Sequence, residues 1–399
     1  MDRRTLLKTG GMGLLGLGLG ACSRASGLSL PSPRLRLAPV RASWDRVIRT
    51  TVGLRPYRPS GFVLRAERLD DKTLIHNYGH GGSGMSLSWG TGSMAADIAV
   101  ERDERRAAVI GCGVVGLTTA RQLQRRGFDV TIYAMSVPPD TTSNMSLAAW
   151  TPTSGLVERL RRTTAWDTQL RQAARIAYRQ LQLLIGPEYG VSWIDSYALR
   201  DSAPTGGGRS ADPDPLLPPE LRTGSTLLGP GEHPFPTRYA SQSTTLRIEP
   251  STYLDALVRD FLRFEGRIVI RKFDTPRDLM ALEEPIVVNC TGLGSHDLFG
   301  DRELTPLKGQ LTVLVPQQDV NYATFGGLPG AGGFIHMQPR SDGIALGGTS
   351  EEGEWSLEPN EEARRRIVGA HMRLFDAMRG APVALSLAAL VLPSALSAR

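Results

Sequence analysis

The stretch 107–133 constrains this chain more than any other. An apolar run, Ala107-Ala108-Val109-Ile110, leads into Gly111-Cys112-Gly113-Val114-Val115-Gly116. Helix-forming text then runs to about Arg126, and Phe128-Asp129-Val130-Thr131-Ile132-Tyr133 makes a second apolar run. Strand, G-x-G-x-x-G turn, helix and strand predict one βαβ unit that binds a dinucleotide. Glycines in such a turn let the backbone approach a pyrophosphate held at the helix N-terminus. Taken alone, the pattern is shared by NAD and FAD proteins, and a structural glycine turn can produce the same letters. The acid that often grips the ribose after the second strand is absent, because Met135 occupies that place.

A second glycine-rich block, His76-Asn77-Tyr78-Gly79-His80-Gly81-Gly82-Ser83-Gly84, comes before the fingerprint. Gly53-Leu54-Arg55-Pro56-Tyr57-Arg58-Pro59 lies further upstream. Downstream come Pro139-Asp140-Thr141-Thr142-Ser143-Asn144-Met145-Ser146-Leu147-Ala148-Ala149-Trp150, then Arg271-Lys272-Phe273 and Val288-Asn289-Cys290-Thr291-Gly292. Together these blocks resemble the D-amino-acid oxidase family of FAD enzymes, from about Gly53 to Arg373. In that family the His-Asn-Tyr-Gly-His-Gly-Gly block lies near the C-terminus. The resemblance therefore implies a circular permutation that has moved the tail of the family to the front.

The implied fold is α/β: a Rossmann-like FAD-binding domain with an antiparallel-sheet α+β substrate domain. The expected layout is a signal at 1–22, a tether at 23–40 and FAD-binding text at 41–150. A mixed helix and loop region follows at 151–245, with a return to the FAD domain at 246–300. The substrate domain is expected at 301–380, and the tail at 381–399 has no assigned role. Helices are expected at 156–185, at 253–265 and from Gly90 onward.

The resemblance implies non-covalent FAD rather than NAD. Its expected contacts are Gly111, Gly113, Val114, Val115 and Gly116, with Thr141, Thr142 and Ser143 around the pyrophosphate. Phe273 is expected near the adenine, and Thr291 is a further contact. Gly81, Gly82, Ser83, Gly84, Met85 and Ser86 would line the ring, with main-chain N–H groups and the Ser86 hydroxyl at its C2 carbonyl. A helix dipole near Gly90 would stabilise the anion of the reduced ring.

For the substrate, the resemblance implies that Arg55 clamps the carboxylate, because a planar guanidinium matches two oxygens. Arg58, between prolines, is read as structural. The Gly82 carbonyl would accept a hydrogen bond from the amine. Hydride transfer from a D-amino acid to flavin N5 would give an imino acid, then a 2-oxo acid and ammonia, with dioxygen reduced to hydrogen peroxide. His336 stands where the family has a pocket tyrosine, either as a donor to the carboxylate or as a satisfied strand histidine. Gly332 replaces a second tyrosine, and the run 326–333 falls where some relatives carry a lid. These departures keep open a flavin dehydrogenase or amine oxidase acting on another amino or imino acid, or a flavin-binding surface protein without catalysis.

The chain opens with Asp2-Arg3-Arg4-Thr5-Leu6-Leu7-Lys8 and an apolar stretch to Ala21, which reads as a twin-arginine export signal. Leu19-Gly20-Ala21-Cys22 resembles a lipobox, so Cys22 is expected to carry a lipid and anchor the protein to a membrane, facing the periplasm or the cell exterior. An ordinary cleavage site beside Cys22 is the alternative. Cys112 and Cys290 sit in no Cys/His cluster, so neither a metal nor a disulfide framework is indicated. The net charge of +6 comes from scattered arginines and gives no support to nucleic-acid binding.

Overall fold

A computed structural model describes residues 35–203, 215–327 and 333–380. The export signal, Cys22, the tether up to residue 34, Gly332 and the tail at 381–399 lie outside the described residues. The tether expected over 23–40 ends earlier than that. Leu35, Leu37 and Ala38 pack on a buried cluster that contains Val40, because apolar side chains there find a core to cover.

The first strand, β1 (Val47–Tyr57), runs antiparallel to β11 (Thr305–Leu314), from Val47 opposite Leu314 to Tyr57 opposite Thr305. Residues 41–57 were expected in the FAD-binding domain, but this pairing places β1 in the larger of two sheets. Pro56 faces Pro306 in the ladder, and β1 is an edge strand, where a missing N–H is tolerated.

A hairpin follows, β2 (Val63–Leu69) and β3 (Lys72–Tyr78), turning at Asp70 with φ of 50°. Helix α1 (Gly84–Val100) starts at the glycine block itself, six residues before the expected Gly90. It is buried along most of its length between two partner helices. A Cβ on Gly90 would come within 1.9 Å of the Ala173 carbonyl, and one on Gly92 within 3.0 Å of the Thr119 nitrogen. Small residues let these three helices touch backbone to backbone.

The fingerprint unit forms as expected: β4 (Arg106–Ile110), α2 (Val114–Gln124) and β5 (Asp129–Ala134), with both strands parallel. Helix α3 (Thr164–Leu183) is shorter than the expected 156–185. It begins where Thr163 caps it by accepting from the Trp166 N–H.

The region expected as mixed helix and loop over 151–245 also contains three strands of the large sheet. These are β6 (Val191–Arg200), β7 (Ser225–Leu228) and β8 (Tyr239–Ile248). Helix α4 (Pro250–Arg263), with proline in its first turn, leads to β9 (Arg267–Ile270) and β10 (Ile286–Asn289). The short α5 (Ser295–Leu298) precedes β11. The chain then forms β12 (Tyr322–Gly327), β13 (Phe334–Arg340), β14 (Gly343–Gly347), β15 (Glu351–Glu352) and α6 (Glu361–Gly380).

The smaller sheet has the order β2-β3-β10-β4-β5-β9 and is parallel except at β2. The larger runs β1-β11-β14-β13-β12-β6-β8-β7, with β15 beside β11. It is antiparallel except where β12 lies parallel to β6. Helix α6 covers its far face with Ile367, Val368, Leu374, Phe375 and Met378, which pack against Ile335 and Met337. The end of α6 meets the start of the folded body, where Arg379 Nη2 donates to the Val40 carbonyl at 2.7 Å. Among the described residues no helix is long and apolar enough to cross a membrane.

Candidate active site

A cleft of about 1250 Å³ opens between the two sheets. That exceeds the usual pocket for one small molecule and leaves room for a dinucleotide and a substrate. One end is built on the fingerprint. Gly111 has φ of +112°, and a Cβ there would lie 2.5 Å from the Cys290 carbonyl. Gly113, Val114 and Val115 line the cleft at the N-terminus of α2, and Ser143 Oγ accepts from the Val114 N–H at 3.0 Å. Thr141, Thr142, Phe273 and Thr291 also line it, as expected. Met135 lines this end too but stands 71% exposed. The aromatic contact is instead between Tyr133 and Phe273, with ring centroids 6.0 Å apart and Arg271 over the Phe273 ring.

Gly116 does not reach the cleft. A Cβ there would meet the Gly111 carbonyl at 2.0 Å, so its role is helix–turn packing. Gly81, Gly82, Gly84 and Met85 line the wall where α1 begins. Ser83 and Ser86 do not. The Ser83 hydroxyl donates to the carbonyls of Thr151 and Ser154. Ser86 Oγ donates to the Ala149 carbonyl and accepts from the Thr151 N–H. Both hydroxyls are therefore engaged in holding the 149–154 segment against α1. The same segment closes on the glycines, because a Cβ on Gly81 would lie 1.8 Å from the Gly155 carbonyl.

The other end belongs to the large sheet. Arg55 extends from β1 over Gly309 on β11, where a Cβ would come within 3.0 Å of its Nη2. Its Nε donates to the Leu307 carbonyl at 3.0 Å and its Nη2 to the Thr349 carbonyl at 2.9 Å. No carboxylate pairs with it among the described residues, and burial lowers its pKa. Arg58, by contrast, is tied to Asp301 and Glu303 and serves as a strut between the sheets.

His336 on β13 lies opposite Gly347 on β14, and its ring occupies the space a Gly347 side chain would need. Its Nδ1 is buried without a hydrogen-bond partner. Burial, with the nearby His371 and Arg55, pushes its pKa down to about 3, so the imidazole is neutral. It is not a satisfied strand histidine. His80, stacked on Phe62 and hydrogen-bonded to Thr91, is likewise held at about 3 by burial. Cys112 and Cys290 are buried thiols raised to about 12 by burial, which makes them poor nucleophiles.

The sequence reading missed His80, Tyr133, Trp150 and Ser154 as lining residues, along with the wall from β6 and β8. Tyr133 and Trp150 lay inside quoted motifs, so position within those motifs was the available signal. β8 falls largely in the stretch 203–247, which reads as loops and short strands, while nothing in the sequence marked β6.

A family model described as "FAD dependent oxidoreductase" (DAO) matches residues 33–98 and 106–390. A D-amino-acid oxidase of Rubrobacter xylanophilus is 30% identical over 293 residues, covering 70% of this chain and 79% of the relative. One from Streptomyces coelicolor is 29% identical over 300 residues, covering 73% and 83%. The human D-aspartate oxidase is 27% identical over 284 residues, covering 70% and 78%. Among solved structures, glycine oxidase from Bacillus cereus aligns with a TM-score of 0.48 at 16% identity, covering 69% of this chain and 79% of that one.

Three buried imidazoles set an acid limit. His80 and His336 sit at about 3 and His371 at about 4, all below the ordinary 6.5 because of burial. Between pH 6.5 and about 4 the unfolded chain binds protons that the folded chain refuses. Stability is therefore complete above pH 6.5 and falls as pH drops through this window. Thermal denaturation from pH 7.5 to 4.5 should show a steadily falling Tm below 6.5. A Tm unchanged down to pH 4.5 would contradict the neutral, buried state of these rings.

Proposed function

The chain belongs to the DAO family of FAD-dependent oxidoreductases, and from that premise we propose that it oxidises D-amino acids. The enzyme's cofactor is FAD, and the glycine cradle at Gly111 and Gly113, with Thr141 to Ser143 beside it, fits the pyrophosphate of that group. When bound, FAD supplies the two-electron oxidation of the substrate's C–N bond. The overall reaction takes a D-amino acid, dioxygen and water to a 2-oxo acid, ammonia and hydrogen peroxide.

One observation carries this reading: Arg55 is a half-buried cation in the cleft with no carboxylate partner among the described residues. A buried charge left unpaired is costly, and a substrate carboxylate would compensate it. Main-chain carbonyls fix the guanidinium, so little rotamer freedom remains to be lost on binding. The neutral His336 beside it can donate to the same carboxylate. The Gly82 carbonyl is the acceptor proposed for the amine. The curated relatives named above act on D-amino acids by their names, which agrees with this assignment.

We further propose that the chain order is rotated relative to the family. Two separate matched stretches, 33–98 and 106–390, and the contact between Arg379 and Val40 support it. A chain re-cut to begin near residue 105, with residues 41–100 following residue 380, should fold and hold FAD. An insoluble product without flavin would count against the rotation. Export by the twin-arginine route with a lipid on Cys22 belongs to the same proposal. The Cys22→Ala chain should leave the membrane fraction, and its retention there would remove the anchor.

The activity itself is tested by anaerobic mixing with a panel of D-amino acids, watching flavin bleaching, and by peroxide release in air. Bleaching without peroxide would point to a dehydrogenase, and neither signal would refute the oxidase. The Arg55→Leu variant should keep FAD while its apparent substrate constant rises steeply. Loss of a charge-assisted, two-point contact costs roughly 2–5 kcal/mol, about 30- to several-thousand-fold. Unchanged kinetics in the folded variant would take Arg55 out of the site.

A further inference from the structure

The cleft continues across the large sheet well beyond Arg55 and His336. On β6 and β8, Ser196 stands opposite Ser243, and Ile194 opposite Thr245. Residues two apart on a strand share a face, so the hydroxyls of Ser196, Ser243 and Thr245 lie on one side, and all three line the cleft. On the opposite face, Asp195 accepts from Gln242 and Thr244. No such partner serves the three cleft hydroxyls: among the described residues they make no hydrogen bond. Ser196 is buried and Ser243 and Thr245 are half-buried, so their hydroxyls face the cleft free to bond a ligand.

Between Arg55 and these hydroxyls the cleft passes Gly309 on β11, His336 and Gln338 on β13, and Phe325 and Ala323 on β12, where Ala323 pairs with Ser196. The Arg55 guanidinium, bonded to the Thr349 carbonyl, sits near the end of β14. From β14 to β6 is three strand steps, or about 14 Å at the usual spacing. An extended peptide needs about four residues to cover that distance, more than the side chain of a free amino acid reaches. The carboxylates that line the cleft, Asp274 and Asp297, follow β9 and lie on α5, with the smaller sheet. The hydroxyl end therefore offers no partner for a cationic side chain, and the Arg222 that lines the cleft donates to the Leu217 carbonyl.

We propose that this hydroxyl-lined end is a second subsite, which makes the substrate a D-amino-acid terminus whose side chain continues into an uncharged, amide-bearing chain. The carboxylate sits at Arg55 and the free amine at the Gly82 carbonyl, and the extension passes His336 and Ala323. Ser196, Ser243 and Thr245 donate to or accept from its amide groups. This inference rests on the D-amino-acid oxidase reading above and names the substrate class of the same site.

The test is a length series on the FAD-loaded enzyme: D-norleucine, D-lysine acetylated on its side-chain amine, and D-lysine carrying N-acetyl-diglycine there. A single hydrogen bond to a neutral group contributes several-fold in binding, so two or more amount to roughly tenfold or above. The expected result is a kcat/KM that rises at least about tenfold from the first probe to the last. In the S196A/S243A double variant, the ratio of longest to shortest probe should collapse toward one. A wild-type ratio that is flat or falls with length would overturn the subsite while leaving the oxidase assignment standing. Flavin bleached by none of the three probes, nor by the simple panel, would overturn both. The wild-type series decides the matter even if the double variant fails to fold.

Discussion

The antiparallel pairing of β1 with β11 is the contact on which the site depends. It joins residues some 250 positions apart in sequence and brings Arg55 to its post over Gly309. Without it, the arginine that faces the cleft would have no floor, and Leu307 and Thr349 would have no guanidinium to hold. The same pairing brings Arg58 to Asp301 and Glu303, and Tyr78 on the smaller sheet also donates to Asp301. One ladder of backbone hydrogen bonds thus fixes both the guanidinium that faces the cleft and the strut that sets one sheet against the other.

Charge in this cleft is arranged by what is left out. Arg58, Arg247 and Arg340 all have carboxylate partners, which satisfies them and makes them architectural. Arg55 has main-chain carbonyls instead. Carbonyl dipoles orient a guanidinium and offset part of its desolvation, but they do not neutralise it. Its neighbour His336 cannot compete as a second cation, because burial keeps it neutral. Arg222, Arg271 and Lys272 also line the cleft, so Arg55 is set apart by its place over Gly309 and its main-chain partners.

The sequence made the fingerprint unit legible because its strands are short, apolar and bounded by glycine, and its helix follows at once. It made Arg55 and the 76–84 block legible through their motifs. β1 was quoted as a motif without being recognised as a strand, because Gly53 and Pro56 interrupt it. An edge position tolerates the proline, and only the fold reveals that position. β8 lies in a stretch rich in Ser, Thr, Pro and Gly, whose composition reads as loops and short strands without giving their bounds. Its partner β6, with Trp193 and Tyr197 among polar residues, has no clean period of two. Both strands hold their shape by pairing with each other and with β12, which is tertiary information. Ser83 and Ser86 were assigned to the cofactor because the resemblance places that block against the flavin ring. Here their hydroxyls are taken by carbonyls 63 to 71 residues away.

That last exchange changes how the cleft handles negative charge. Helix α1 begins at Gly84 with no side-chain cap, and α2 begins at Val114 with only the Ser143 hydroxyl at its first N–H. Each helix start leaves main-chain N–H groups without intrahelical partners, together with the positive end of its dipole. Both starts line the same cleft. A helix starting at Gly90 would have kept this end a turn and a half away. Starting at Gly84, α1 aims its dipole from the glycine block itself, while Ser83 and Ser86 hold the 149–154 segment beside it. The backbone then supplies the positive potential at two places, at the Gly111–Gly113 turn and at the opposite wall. Because those dipoles are fixed before any ligand arrives, they stabilise developing negative charge without reorganising.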